Sequence, residues 1–361
     1  MITVPTLLLD EVKCKRNIQR MVSLARENEI AFRPHFKTHV SREIGEWFRK
    51  EGVNKITVSS LRMADYFAGS DWDDILVAFP VNLLEIELIN HLASRINLSL
   101  LVESADTVQF LAENLTSAVR VYIKTDIGYK RTGIRYDDFL TNEMLIAKIN
   151  GAEKLSFTGF LTHAGHSYRS KSFDEIHNVH NESIARMVRL KEHFAGKYPG
   201  IIISVGDTPT CSVESDFPAV DEIRPGNFVF YDYMQILIGS CQPGQVAVAM
   251  ACPVVATHPE RNEVVIYGGS VHFAKDSVIN EEGEEVYGQV VADNGMGWEH
   301  IINGAWLTKL SQEHGIVRLP GKMAHCFKPG DIIKILPAHS CTTANLMREY
   351  LTLDGRVIKR M

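Results

Sequence analysis

A chain of 361 residues, 45% hydrophobic and 23% charged, is long enough for one large domain with a smaller companion and has an ordinary globular composition. Its net charge of −6, with no basic block and no aromatic residues interleaved with lysine and arginine, argues against nucleic acid or an anionic membrane surface and leaves a small molecule as the expected partner. Residues 1–10 lack the charged n-region of a signal peptide, and the apolar stretch 246–256 is too short to cross a bilayer and contains Pro253, so a cytoplasmic protein is expected.

Thr6 to Leu9 reads as an opening strand. From about residue 30, β-rich runs alternate with helical patterns: 31–38, 55–60, 74–80, 97–103, 119–126, 155–163, 201–206 and 222–231. Between them, Leu83, Ile86, Leu88 and Ile89 recur at roughly helical spacing, and Ser104 suits a helix N-cap. Eight strand-helix alternations over about 200 residues point to a (β/α)8 TIM-type barrel rather than an open doubly wound sheet. After about residue 245 helical periodicity nearly vanishes and β runs follow at 246–257, 263–267, 315–318, 331–336, 350–353 and 356–359. Asn294-Gly295, Pro329-Gly330 and Asp354-Gly355 read as turns between them. The expected organisation is an α/β barrel over 12–245 and an all-β domain over 246–361 that takes in a strand from 1–11. The six cysteines show no CxxC pairing, so most are expected to be reduced and buried, with Cys341 the exception.

Lys37, in Arg33-Pro34-His35-Phe36-Lys37-Thr38-His39, falls at the C-terminal end of the first barrel strand, where such barrels keep their chemistry. Most lysines after a loop proline are simply solvated. A lysine that forms an imine must be partly deprotonated, which nearby cations and desolvation favour, and Arg33, His35 and His39 are placed to supply that field. Gly206-Asp207-Thr208-Pro209-Thr210 and Arg224-Pro225-Gly226-Asn227 end strand seven and interrupt strand eight, the place where many barrels hold a phosphate. Because a barrel closes, strand one neighbours strand eight. An amine beside a phosphate cradle is what pyridoxal 5'-phosphate requires.

Thr162-His163-Ala164-Gly165-His166-Ser167-Tyr168 ends strand six with an imidazole able to cover a pyridine ring or to serve as a buried structural histidine. Arg131, in the loop 128–133, is either a contact to an anionic cofactor oxygen or a solvated arginine. In Pro337-Ala338-His339-Ser340-Cys341, a side-chain period of two puts His339 and Cys341 on one face of an extended segment with Ser340 pointing away. Imidazole plus thiolate suits zinc, and two protein ligands leave coordination positions open for substrate.

Taken in order, these motifs, with Phe228-Val229-Phe230-Tyr231-Asp232 and Gln312-Glu313-His314-Gly315, resemble the D-threonine aldolase and D-serine dehydratase family over nearly the whole chain. The resemblance implies fold-type III pyridoxal phosphate enzymes built like alanine racemase: an N-terminal barrel, a C-terminal β domain, and a homodimer whose partner helps close each site. It implies that Lys37 carries the cofactor covalently, His163 stacks on its ring and Tyr168 lies near it. Thr208, Gly226 and Asn227 would bind phosphate, Arg224 would face the pyridine nitrogen and Arg131 the phenolic oxygen. His339 and Cys341 would bind a divalent metal, zinc first, with manganese or magnesium as alternatives. Aldolase members carry a His-x-Asp pair where this chain has His-x-Cys, as in the dehydratases, although Ser340 replaces the usual alanine.

The implied reaction is dehydration of a D-β-hydroxy amino acid to a 2-oxo acid and ammonia, with Lys37 as the base at Cα. Retro-aldol cleavage to glycine and an aldehyde is the nearest alternative. Racemisation needs a second base that the sequence does not identify, and a non-enzymatic pyridoxal phosphate carrier needs neither the β domain nor the metal pair.

Overall fold

The computed structural model describes residues 2–293, 295 and 297–361. It divides into two compact units: residues 20–226, and residues 1–19 with 227–361. The division therefore falls at residue 227, nearer the end of the eighth barrel strand than the change of texture at about 246. Strand β1 (Thr6–Leu9) opens the chain and belongs to the second unit.

The first unit is the barrel. Its parallel strands are β2 (Ala31–Phe32), β3 (Ile56–Val58), β4 (Asp74–Pro80), β5 (Asn97–Val102), β6 (Val119–Asp126), β8 (Leu155–Leu161), β9 (Ile202–Val205) and β10 (Glu222–Ile223), with β7 (Ile134–Arg135) added beside β6. They pair in the order β2-β10-β9-β8-β6-β5-β4-β3. The ends are joined by a bridge between His35 and Thr57, with the Phe36 amide donating to Thr57 O and the Thr57 amide to Pro34 O, both at 2.9 Å. Eight strands were expected and eight are present. Helices between them include Ala105–Asn114, whose Ser104 cap accepts from the Thr107 amide at 3.2 Å.

The expected strands one and eight are much shorter than their apolar runs. β2 stops at Phe32 because Pro34 has no amide to donate, and β10 stops at Ile223 because Pro225 follows Arg224. Strand alternation fills the barrel interior. Leu76, Leu101, Tyr122 and Leu161 pack into one buried cluster.

The second unit is antiparallel apart from one parallel pairing. It comprises β11 (Val248–His258), β12 (Glu263–Tyr267), the small hairpin β13 (Val278–Ile279) and β14 (Glu285–Val286), β15 (Gly288–Asp293), β16 (Trp298–Leu310), β17 (His314–Arg318), β18 (Ile332–Pro337), β19 (Glu349–Thr352) and β20 (Val357–Lys359). The sheet runs β12-β17-β16-β15-β18-β11-β1-β19-β20, and β12 also pairs with β11, closing six strands into a ring. The opening strand joins this sheet between β11 and β19, as its sequence suggested. β15 and β16 were not anticipated: the 13-residue β16 contains Gly304 at φ 80°, and its register shifts break the alternation that would reveal it. Positive φ at Gly330 and Gly355 marks two of the expected turns, while the third lies partly outside the described residues at Asn294. All six cysteines are free; Cys326 is exposed rather than buried.

Candidate active site

In the barrel unit, residues 36–39 turn away from the end of the first strand. Phe36 is fully buried against Phe48, Phe67 and Trp72, with ring centroids 4.9–5.2 Å apart, which fixes the turn and leaves the Lys37 side chain outward and exposed. The cationic field expected around Lys37 is not the one found. Arg33 is committed to Glu222 and Asp74, each at 2.6 Å. His39 is buried between Phe36 and Phe48 and accepts from the Ser41 amide at 3.1 Å. Desolvation, followed by the charges of Lys37 and Arg224, holds the His35 imidazole well below its usual range, so it is neutral.

His163 is neutral for the same reason: desolvation is the largest influence and exceeds its bond to the Gly206 carbonyl, and the charges of Lys37, Arg131 and Lys124 act in the same direction as burial. That 2.6 Å bond assigns the proton to Nδ1 and leaves the Nε2 lone pair. Tyr129 meets His163 edge-on at 6.0 Å and Tyr168 lies 6.1 Å away on a tilted ring. The Tyr168 hydroxyl accepts from the Thr208 amide at 3.2 Å. Thr208 begins the helix Thr208–Val213, capped by Asp207, which accepts from Ser167 Oγ, the Thr210 amide and Thr210 Oγ1 at 2.8–2.9 Å. Burial pushes the Asp207 carboxyl up to about 6 against those bonds.

Two glycines let three loops approach one another. A Cβ on Gly206 would stand 2.8–2.9 Å from the Arg224 backbone, and one on Gly226 would stand 2.9 Å from the His35 carbonyl. Arg224 itself is 5% exposed. Its Nε donates to Ser204 Oγ at 2.7 Å and its Nη2 to Thr162 O at 2.5 Å, while Nη1 has no partner among the described residues. A buried guanidinium with one nitrogen to spare beside a glycine-lined cradle fits a planar, anionic cofactor. Arg131 is exposed and lies over the Tyr129 ring at 5.4 Å.

Sequence reasoning missed Lys124 and Tyr129. Lys124 is buried on β6 and desolvation, then the charges of Arg224 and Arg131, bring its amine down to about 7. Tyr129 presses on Gly165, where a Cβ would stand 2.4 Å from its ring. The inward spacing 120, 122, 124 on β6 was the available signal for Lys124.

In the second unit, His339 and Cys341 do not share an extended strand face. His339 is extended at φ −136° and ψ 110°, but the helix Ser340–Met347 begins at the next residue, so Cys341 reaches back from its first turn. The two side chains are hydrogen-bonded. Behind them stands Asp232, with no exposed surface, whose Oδ2 accepts from His339 Nδ1 and the Ser340 amide at 3.0 Å and from Asn227 Nδ2 at 2.8 Å. Burial opposes charge on His339, but Cys341 and Asp232 together raise its pKa well above the usual imidazole value.

Among the described residues no three His, Cys, Asp or Glu side chains form a ligand set. The arrangement fits a cation held by two protein groups: a carboxylate fixes the imidazole through Nδ1 and so frees the other ring nitrogen. An orphaned acceptor, the buried Asn227 Oδ1, adds a polar atom that nothing among the described residues satisfies. Asn227 Nδ2 lies 3.5 Å from Cys341 Sγ, so its side chain belongs to this cluster. Ser340, expected to point away, has no exposed surface and accepts from Asn227 Nδ2 at 2.9 Å.

Comparison with known proteins agrees with both halves of this description. The alanine racemase N-terminal domain model matches residues 9–234, and the putative serine dehydratase domain model matches 247–353. The chain belongs to the D-serine dehydratase and D-threonine aldolase family. It is 30% identical to D-threo-3-hydroxyaspartate dehydratase of Delftia, covering 98% of this chain and 95% of that one, and 28% identical to D-serine dehydratase of Dictyostelium discoideum, covering 97% and 92%. The solved Delftia enzyme superposes with a TM-score of 0.92 at 27% identity, covering 100% of this chain and 98% of the other. Variants of that relative with a histidine or, two positions later, a cysteine replaced by alanine have also been solved, the second in a metal-free form. Among the described residues no helix is long and apolar enough to cross a membrane.

Proposed function

We propose that this chain is a pyridoxal phosphate- and divalent metal-dependent lyase that dehydrates D-β-hydroxy amino acids to a 2-oxo acid and ammonia. The observation that carries the reading is the His339–Cys341 pair backed by Asp232, a histidine and cysteine at the spacing of the two residues replaced in variants of the Delftia dehydratase.

Lys37 is the residue that would hold the cofactor, and its amine is the base that would take the proton from Cα. When bound, pyridoxal phosphate acidifies Cα–H by accepting its electrons. His163, kept neutral, offers an uncharged ring surface and a free Nε2 to the cofactor face. The Nη1 of Arg224 is the donor for the pyridine nitrogen, and a guanidinium donates without giving up its proton, so Cα acidification there is modest. Tyr168 fixes the start of the Thr208 helix, where Thr208 and the backbone of Gly226 and Asn227 form the phosphate cradle. Arg131 serves the phenolic oxygen.

His339 and Cys341 hold the cation, with zinc favoured by the sulfur and imidazole donors. A cation there supplies a Lewis acid for a departing hydroxyl. The proposed working form is a cytoplasmic homodimer.

The test is product analysis of the metal-loaded enzyme with D-serine, D-threonine and D-threo-3-hydroxyaspartate, with a chelator control. Pyruvate, 2-oxobutyrate or oxaloacetate supports elimination. Glycine with acetaldehyde from D-threonine would sink it in favour of retro-aldol cleavage, and a D-to-L conversion in favour of racemisation.

A further inference from the structure

The barrel interior holds a line of charged and polar groups leading to Arg224, and apart from Arg224 the proposed reaction uses none of its members. Arg120 Nη2 donates to Asp74 Oδ1 at 2.7 Å, and Arg33 Nη1 donates to the same oxygen at 2.6 Å. Arg33 Nε donates to Glu222 Oε2 at 2.6 Å, Ser204 Oγ donates to Glu222 Oε1 at 2.7 Å, and Arg224 Nε donates to Ser204 Oγ at 2.7 Å. Arg33 and Glu222 are each 2% exposed and Ser204 is fully buried. Strand alternation builds this line: Glu222 and Arg224 sit two residues apart, and Glu222 lies beside Ala31 on one side and Ser204 on the other.

Such a line is not explained by stability. Buried ion pairs are commonly neutral or worse against apolar residues of the same volume, and Arg33 already has Asp74 as a counter-ion. What Glu222 adds is direction. Its Oε1 takes the Ser204 hydroxyl proton, which turns the lone pairs of Ser204 toward Arg224 Nε. With Nε and Nη2 both committed, the guanidinium plane is fixed and Nη1 is left over.

We propose that Glu222 is a positioning residue for Arg224: through Ser204 it fixes the guanidinium plane, so that Nη1 meets the cofactor ring nitrogen as a donor. Arg33 holds Glu222 in turn. The electrostatics agree in sign: burial lowers Arg224 to about 10, and Glu222 is the strongest opposing influence. The inference rests on the assignment of Arg224 to the ring nitrogen made above.

The experiment uses purified full-length protein reconstituted with pyridoxal phosphate. It reads cofactor affinity by equilibrium dialysis and the pH midpoint of the visible cofactor band. Glu222→Gln and Ser204→Ala are each expected to weaken cofactor binding about tenfold and to move the midpoint, as expected for loss of one bond to a charged group. Ser204→Thr, which keeps the hydroxyl, is expected to restore both, so a Glu222→Gln protein that fails to fold leaves the serine pair to decide.

If Arg224→Gln moves the midpoint but Glu222→Gln and Ser204→Ala keep the wild-type values, the inference is overturned. An Arg224→Gln protein with wild-type midpoint and affinity overturns the ring-nitrogen assignment itself, and the inference with it.

Discussion

The two units support their polar residues in opposite ways. In the barrel the support is spread over many strands: Asp74 on β4, Arg120 on β6, Ser204 on β9 and Glu222 on β10 each add one link. In the β unit residues 246–252 form an unexposed apolar run, and the His339–Cys341 cluster converges on one carboxylate, Asp232. A distributed line tolerates loss of a member by degrees. A single node fails as a whole, so Asp232 carries more of the β unit's cluster than any one residue carries in the barrel line.

Five substitutions sharpen or break that contrast. Lys37→Ala is expected to lower turnover roughly 10²- to 10⁴-fold and to abolish the visible band of the cofactor, read by stopped assay and absorbance. Retention of the band would place the cofactor on another lysine, with Lys124 the first to examine.

Next is Asp207→Asn. Burial raises the folded carboxyl from 3.8 to about 6, so the folded state binds the proton more tightly than the unfolded one. Stability is therefore fullest below pH 3.8 and is lost as pH rises through 6, by roughly 3 kcal/mol. Urea midpoints between pH 4 and 7 should show this slope in the native protein and a flatter one in the variant.

Asp232→Ala is expected to weaken divalent-cation affinity about 10- to 100-fold in a chelator competition, while the cofactor band in the barrel persists. Equal affinity in the variant would mean that His339 is held by something else. The smallest effect concerns glycines. Gly226→Ala, whose Cβ would stand 2.9 Å from the His35 carbonyl, should cost about 1–3 kcal/mol in a thermal melt. Gly244→Ala, with nothing within 4 Å, should stay within about 0.5 kcal/mol.

How much of this could be read from the chain depends on how local the cause is. The eight parallel strands announce themselves because most are short β-rich runs with buried residues, and the Lys37 heptapeptide and the His339–Cys341 pair stand out as compact motifs. Their supports do not. Arg33 meets Glu222 across 189 positions and His339 meets Asp232 across 107, and neither partner looks unusual where it stands. Lys124 resembles any lysine alternating along a strand until the barrel closes around it. The Cys341 geometry failed for a different reason: period-two reasoning assumes that the strand continues, whereas a helix starts at Ser340.

The ring closure in the β unit bears on how the protein avoids strand-by-strand aggregation. A sheet with unpaired outer strands offers a template for addition of another chain. Here β12 is sealed against β11, and the remaining border is β20, three residues long, where exposed Lys359 is paired to Glu349 and Arg360 follows at once. A short, cationic rim of this kind is a poor template for further strands, so the β unit can keep a strongly apolar interior without presenting an edge on which aggregates grow.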